Sequence, residues 1–394
     1  MCYRRSMATK PRALIIGAGI SGLSAAWWLD KAGWTSVIVE RAPRLRDGGY
    51  LVTISGLGLE TLMRMNLAKD LEGLTYKFEE NVFNDNNGRE LLRIRYKDVH
   101  GGVESLAVCR DDLARTLAKA LPESASIRFN ETLDHFYDDG SKIQATVKSG
   151  DIIEADLLIG ADGIRSSVRN ESWKDVDCLE HLGYSYAAYD FEKKDVLKSD
   201  CVSFNGPGHL DMLYALRNDR VAALHIWRDD MMKPKDEENN FEIVRHVTAG
   251  SVKLVADVID GAEESGSSPI MDRLTMVTLP KWSKGRIVLL GDAAHCLTLM
   301  SAQGACMALA STEILGKELM ATKDISQALD NHERKLRPII EKLQQRSRNM
   351  ASMYIPKSKI LFYLRNLLMK LMPASWVASW HANAVKFEVD LTKS

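Results

Sequence analysis

The sequence predicts an α/β protein. A parallel-sheet domain opens the chain, a β-rich domain is inserted in it, and helices fill the C-terminal end. Three observations predict this. Residues 13–39 read strand, glycine turn, helix, strand, which is one βαβ unit. Strand-like runs with turn signals cluster between about Glu171 and Lys281. After Gly285 a single buried strand candidate is followed by three helical stretches.

Each element has its own signal. Ala13 to Ile16 is a short apolar run, Ser21 to Ala32 has helical composition, and Val37-Ile38-Val39 is β-branched and closes the unit. Glu60 to Asp70 and Asp111 to Ala120 are predicted helices. Ser126 to Phe129, Ile143 to Val147 and Leu157 to Ile159 are predicted strands. Tyr184 to Tyr189, Met212 to Leu216 and Val221 to Trp227 follow as strands, punctuated by Asn205-Gly-Pro-Gly208 and Asn218-Asp219. Ile287 to Leu290 is a strand candidate. Gln303 to Met320, Ser326 to Arg348 and Lys359 to Leu371 are helix candidates, the last stopped by Pro373. The expected division is 11–170 and 284–350 for the two parts of the first domain, 171–283 for the insertion, and 351–394 for a C-terminal helical segment.

Composition excludes several classes. The chain has 394 residues, room for two or three domains at about 150 residues each. Its 45% hydrophobic content is too high for disorder. With 52 basic and 53 acidic residues the net charge is −1, so a nucleic-acid partner is not expected. The six cysteines are scattered without a ligand spacing. That predicts no metal site, free thiols and a reducing compartment, hence a cytoplasmic location. No convincing targeting segment is visible, so the sequons Asn130-Glu-Thr132 and Asn170-Glu-Ser172 read as chance matches. No apolar run is long enough to span a bilayer. Residues 359–372 are apolar with two basic residues after Lys359; the segment suits a helix packed on the first domain better than one associated with a membrane surface.

The strongest chemical signal is Gly17-Ala18-Gly19-Ile20-Ser21-Gly22, between the first strand and its helix. The first glycine permits the tight turn, the second lets a diphosphate approach the backbone, and the third lets helix and strand pack closely. The helix then offers free N–H groups and partial positive charge to the phosphates. Glu40 ends the next strand, 18 residues past Gly22, where a carboxylate can hold ribose hydroxyls. This spacing marks a dinucleotide site and leaves NAD and FAD unseparated. Leu157-Leu-Ile-Gly-Ala-Asp162-Gly163-Ile-Arg165-Ser-Ser-Val-Arg169 and Gly285-Arg-Ile-Val-Leu-Leu-Gly291-Asp292-Ala-Ala-His295 add two buried strands that each end in an Asp-containing turn. Asp292 stands where open α/β sheets bind ligands, and the helix after Gly304 would aim its N-terminus at the same ligand. Either aspartate alone could be a turn cap, but the two motifs together favour a ligand site.

The three motifs, in this order and at these intervals, resemble those of the single-component FAD-dependent monooxygenases, from about Ala13 to Met350. The resemblance implies a Rossmann-like FAD-binding domain with an inserted β-sheet substrate domain and C-terminal helices. It implies FAD on Gly17, Gly19, Ile20, Ser21, Gly22 and Glu40. Arg110, in Arg110-Asp-Asp112-Leu113, falls near the diphosphate or ribityl chain. Asp162 and Gly163 match a segment linked to both FAD and NADPH contacts, and Asp292 matches the aspartate that holds the ribityl chain. Gly304 and Ala305 sit beside the flavin ring. Arg41, Arg46 and Gly49 fall in a loop that touches the adenosine or flavin part. NADPH, or NADH, would be a transient reductant, with O2 and a small organic substrate, aromatic or polycyclic, as the other reactants. A flavin oxidase that releases peroxide and a non-catalytic dinucleotide-fold binding protein are the alternatives.

The sequence departs from that family in one place. Thr298 and Leu299 stand where prolines are usual after the Gly-Asp-Ala-Ala-His motif, and Ala302 replaces the usual glycine. For the substrate side, Val221, Ala223, His225 and Trp227 share one face of an alternating strand. Under the resemblance that sheet roofs the flavin, and His225 is the candidate substrate contact, with Met212 and Tyr214 of equal standing. The competing reading makes His225 an ordinary sheet histidine. Trp27 and Trp28, on the cofactor helix, read as core.

Overall fold

The computed structural model describes residues 10–45, 50–95, 105–194, 196–197, 199–231, 239–356 and 358–371. The chain opens with β1 (Arg12–Ile16), α1 (Ile20–Lys31) and β2 (Thr35–Glu40), the expected βαβ unit. Next come β3 (Leu51–Ser55), α2 (Gly56–Arg64), α3 (Ala68–Glu72), β4 (Glu80–Asp85) and β5 (Glu90–Arg95). β6 (Ser105–Cys109), α4 (Arg110–Lys119), β7 (Ala125–Phe129), β8 (Leu133–Asp138), β9 (Ile143–Val147), β10 (Ile152–Ala155), β11 (Leu157–Gly160) and α5 (Ser167–Ser172) complete the first segment. The single helix expected at Glu60–Asp70 is two helices, α2 and α3. Asn66 takes a positive φ of 60° between them and ends the first.

β1, β2, β7, β11 and β18 (Ile287–Leu289) pair in parallel, and β17 (Ser283–Lys284) adds an antiparallel edge, in the order β17-β18-β11-β1-β2-β7. Their buried Ile, Val and Leu runs suit a sheet covered on both faces. α1 packs on α9 (Gly304–Ala321). That approach is close: a Cβ on Gly316 would meet the Trp28 Cβ at 2.7 Å. Ser24 and Thr312 share a buried hydrogen bond of 2.7 Å at the same seam. Trp28 is buried as expected. Trp27 is half-buried, with the Lys31 ammonium 4.8 Å over its ring.

A second sheet of seven strands runs β16-β12-β15-β14-β13-β4-β5. Its strands β12 (Leu179–Glu192), β13 (Cys201–Gly206), β14 (His209–Leu216), β15 (Arg220–Arg228) and β16 (Ile270–Val277) come from the inserted region. β4 and β5 join it from the first segment, where no strand is expected from the sequence; β4 pairs in parallel with β13. Two helices also unexpected from the sequence, α6 (Asn240–Val247) and α7 (Lys253–Glu264), cover one face of this sheet. Their Phe241, Val244, Val255 and Val258 pack on Tyr189, Leu213, Val221, Ala223 and Trp227. Beyond β18 come α8 (Asp292–His295), a 3-10 turn at Leu299–Ser301, α9, α10 (Ile325–Tyr354) and α11 (Lys359–Leu371).

Candidate functional site

The glycine turn has the geometry that its spacing predicts. Gly17 adopts φ 105°, and a Cβ there would lie 2.5 Å from the Ala161 carbonyl oxygen. A Cβ on Gly22 would strike the Gly17 carbonyl oxygen. These two positions exclude side chains for packing reasons. Gly19 differs: nothing lies within 4 Å of where its Cβ would stand. The N-cap of α1 therefore opens onto room for a ligand. Ile20 and Ser21 are buried. Ser21 Oγ lies against Gly291, which takes φ 58°. The glycine turn and the Asp292 turn thus touch.

Glu40 holds the glycine turn to the end of β2. Its carboxylate accepts from the Ala18 N–H at 2.8 Å and from the Ala42 N–H at 2.9 Å. Arg41 is exposed beside it. Arg46 and Gly49 lie outside the described residues.

Asp162 is first of all a cap. Its Oδ2 accepts from the Ser167 N–H at 2.7 Å and the Ser167 hydroxyl at 2.9 Å, at the start of α5. Its Oδ1 is buried without a protein partner, and next to it Gly163 (φ 79°) has nothing within 4 Å of a would-be Cβ. Arg169, within the same motif, does more than its place there suggests. Its buried guanidinium donates to the Ala293 carbonyl at 3.1 Å and to the Ile164 carbonyl, so it fastens the Asp162 turn to the Asp292 turn.

Arg110 opens α4, and its guanidinium lies 5.8 Å from the Tyr50 ring. Among the described residues no carboxylate forms an ion pair with it. Tyr50, Asp292, Tyr186 and Cys296 are the groups around it that bear on it, in that order. Burial pushes the Tyr50 phenol above its ordinary value, against the pull of Arg110, and pushes Tyr186 up as well. Both phenols are neutral donors at any working pH. Asp292 opens α8, and Gly304 opens α9 with nothing within 4 Å of its Cβ position. Ala305 follows, half-buried. Sequence reasoning missed Tyr50 and Tyr186. A lone tyrosine in a loop or strand carries no spacing signal.

The seven-stranded sheet corrects the assignment of His225. The strand alternates as expected, but His225 points to the face covered by α6 and α7 and is 0% exposed. Its Nδ1 lies 2.8 Å from Asp211 Oδ1 and its Nε2 2.8 Å from the Tyr189 hydroxyl. Ser251 donates to Asp211 Oδ2 at 3.0 Å. Both ring nitrogens are thus engaged inside the domain, so the imidazole is a satisfied core group and not a substrate contact. The opposite face carries Tyr186, Met212 and Leu224, only half-buried, in one apolar cluster with Tyr184, Leu210, Ile226, Leu299 and Met300. Tyr214 lies on that face too, its hydroxyl 3.6 Å from Met212 Sδ. Tyr50 and Arg110 are among the groups that bear on Tyr186, so this face looks towards the cofactor side.

The segment that departs from the family pattern is unusual in backbone. Thr298 (φ 61°) and Ala302 (φ 54°) both take positive φ, which costs a residue with a Cβ about 1–2 kcal/mol. The Thr298 hydroxyl is buried with no partner. A separate cleft of about 480 Å³ lies on the far side of the sheet, beside the Asp162 turn. Ile164, Arg165, Ser185, Trp227, Asp272 and Arg273 are among its lining residues, and Arg165 pairs with Asp272 at 2.9 Å. It shares no residue with the Tyr50–Arg110–Asp292 group.

The residues fit FAD on observations of this chain. There is room at Gly19, Gly163 and Gly304, an orphaned oxygen on Asp162, and an arginine, Arg110, that no carboxylate among the described residues pairs with. The FAD binding domain family matches residues 10–347, and the chain belongs to that family. Among its relatives is the FAD-dependent monooxygenase asL4 of Sarocladium schorii, 27% identical over 92% of both chains. Another is the 6-hydroxynicotinate 3-monooxygenase of Bordetella bronchiseptica, 28% identical over 78% of this chain and 82% of that one. Among solved structures, Klebsiella pneumoniae HpxO complexed with FAD and uric acid superposes with TM-score 0.81 at 19% identity, over 95% of this chain and 97% of that one. The tetracycline destructase Tet(51) does so with TM-score 0.77 at 24% identity, over 93% and 97%.

The fold and site therefore define a flavoprotein oxidoreductase. Within that class the chain is an FAD-dependent monooxygenase, which uses NAD(P)H and O2 to place one oxygen atom in a small organic substrate.

Proposed function

We propose that the substrate is a small planar, aromatic or heteroaromatic molecule bound between the inner face of the seven-stranded sheet and the Tyr50–Arg110–Asp292 group. The half-burial of Tyr186, Met212 and Leu224 on an inner, otherwise apolar face carries this reading. Leu and Met side chains exclude water, and the Tyr186 hydroxyl donates to a ring hydroxyl or carbonyl. The 6-hydroxynicotinate 3-monooxygenase relative and the HpxO structure complexed with uric acid concern molecules of this kind.

On the cofactor side, FAD supplies electron transfer and oxygen activation when bound. Gly19 gives the diphosphate access to the backbone, and Arg110 balances its charge. The second lone pairs of the Glu40 carboxylate accept ribose hydroxyls, and Asp292 holds the ribityl chain. Asp162 Oδ1 accepts a further hydroxyl. The start of α9, at Gly304 and Ala305, faces the ring with partial positive charge. Arg41, Arg46 and Gly49 would serve the adenosine or flavin part. We assign the reductant to the cleft beside Arg165 and Arg273, whose guanidinium groups suit a phosphate-bearing ligand. The cofactor domain comprises 11–170 and 284–350, with β4 and β5 lent to the substrate domain of 171–283. Among the described residues no two cysteines form a disulfide, which supports a cytoplasmic enzyme.

A panel of hydroxylated aromatic and heteroaromatic acids, amides and phenols tests the substrate class. The expected result is substrate-stimulated NADPH oxidation, with label from O2 gas in the product. Peroxide released in equal amount to NADPH consumed, with every stimulating compound, would favour an oxidase instead.

A further inference from the structure

The described residues expose thirteen large apolar side chains, and seven of them sit on the thirteen-residue helix α11. Ile360, Leu364, Leu367, Leu368 and Leu371 follow the spacing of one helical face, with exposures between 49% and 79%. The opposite face holds buried Phe362, with Arg365 lying 4.9 Å over its ring, and buried Asn366. That face packs on β5, the edge strand of the substrate sheet. An apolar patch so concentrated on a single helix marks an interaction surface.

The charge around the helix says what covers the patch. From residue 342 to 387 the sequence has eight Lys and Arg and no Asp or Glu, in a chain whose net charge is −1. The same sequence adds Trp376 and Trp380 just beyond the helix, and Trp is a residue type enriched at membrane–water interfaces. A second copy of this chain would bring the same basic segment against itself, which opposes a symmetric dimer here. Thirteen residues make about 20 Å of helix, too short to cross a bilayer, and no helix among the described residues is long and apolar enough to do so. A short helix with an apolar face and a basic surround fits the plane of an anionic lipid surface.

We propose that α11 seats the enzyme peripherally on an anionic phospholipid bilayer, with its apolar stripe at the boundary of headgroups and acyl chains. The inference is independent of which substrate the site takes. It places the edge of the substrate sheet next to the lipid.

Vesicle flotation of the full-length FAD-loaded enzyme tests it. One vesicle preparation has two parts phosphatidylcholine to one part phosphatidylserine, and the other has phosphatidylcholine alone. The wild type is expected to float with the anionic vesicles, and roughly tenfold less with the neutral ones or in high salt. The double variant Leu364→Glu, Leu368→Glu is expected to lose flotation by a similar factor, with unchanged melting temperature, flavin content and NADPH oxidation in solution. Leu364→Ser, Leu368→Ser should show an intermediate loss. Absence of flotation, or equal flotation of wild type and variants, overturns the proposal. So does a wild-type dimer that the variants turn into monomer, since a second copy then covers the stripe. A large fall in melting temperature for both variants also overturns it, since the stripe is then packed within the chain.

Discussion

On one face of the seven-stranded sheet, Tyr189, Asp211 and His225 use their polar atoms on one another beneath α6 and α7. On the other, Tyr186, Met212 and Leu224 stay half-buried. Both faces come from the same three strands, in alternate registers, and both carry tyrosines. What separates them is only what lies against them: two amphipathic helices on one side, the cofactor-side loops on the other. A titratable group in a sheet is therefore no guide to function until its cover is known. The histidine that looks most chemical belongs to the stabilising face, and the site is built from less conspicuous residues.

The largest test of this contrast is Asp211→Ala. Asp211 is fully buried and serves His225 and Ser251, with His209 Nε2 3.5 Å away. Its loss strands the buried His225 Nδ1 and the half-buried Ser251 hydroxyl and should cost about 3 kcal/mol. The expected result is a lower urea midpoint, with flavin content and substrate KM unchanged in the protein that remains folded. A raised KM at full stability would move the network to the functional face.

Met212→Ala makes the opposite prediction. It removes apolar bulk from the proposed substrate face, and should raise KM or uncouple NADPH oxidation by roughly tenfold. Its stability loss should be smaller than that of Asp211→Ala, because the side chain is not fully packed. Tyr186→Phe keeps the ring and removes the donor, so it should affect substrates with a hydroxyl or carbonyl more than those without. Steady-state kinetics with a matched pair of substrates reads the difference.

Ala302→Gly is a smaller and stabilising change. It removes Cβ strain at φ 54° and should gain up to about 1 kcal/mol, partly offset by the entropy of a glycine in the unfolded chain. Differential scanning calorimetry of the flavin-loaded protein reads the shift.

A pH dependence comes from two other buried histidines. His295 and His332 are buried, and burial holds them down, to about 3 and about 4. In the unfolded chain both stand near 6.5. As pH falls from about 6.5 towards 4 the unfolded chain takes up protons that the folded chain refuses, so stability declines across that window. His332→Gln can still bond Ser311, which His332 Nε2 meets at 2.9 Å, and should flatten the decline. Equal slopes for wild type and variant in melting temperature against pH would remove His332 from the account.

The cofactor side was legible in the sequence because turn chemistry is local. Gly17 and Gly22 close the turn tightly and Gly19 faces open space, and the Asp162 and Asp292 turns follow buried strands as expected. The substrate side was not legible in the same way. Period-two alternation separates the faces of Val221–Trp227 but does not say which one is covered. That depends on α6 and α7. Their one clear local signal is the capping box of Asn239 and Glu242. β4 and β5 carried a signal as well, in the Asn87-Gly88 turn between them, but their place in a sheet formed more than a hundred residues later is a long-range fact. Tyr50 and Tyr186 meet only because two separately formed units close on each other.

The buried guanidinium of Arg169 has a consequence for how the protein is loaded. By bonding carbonyls of two turns that are 129 residues apart in sequence, between Ile164 and Ala293, it makes one stiff piece of what would otherwise be two independently moving loops. The entropy of ordering them is then lost during folding and not at the moment of capture. Cofactor uptake becomes the docking of a ligand into a formed seat, with a rate set by access and not by loop rearrangement. A chain stripped of its flavin should regain it quickly and completely, so that cycles of loss and return leave the scaffold unchanged.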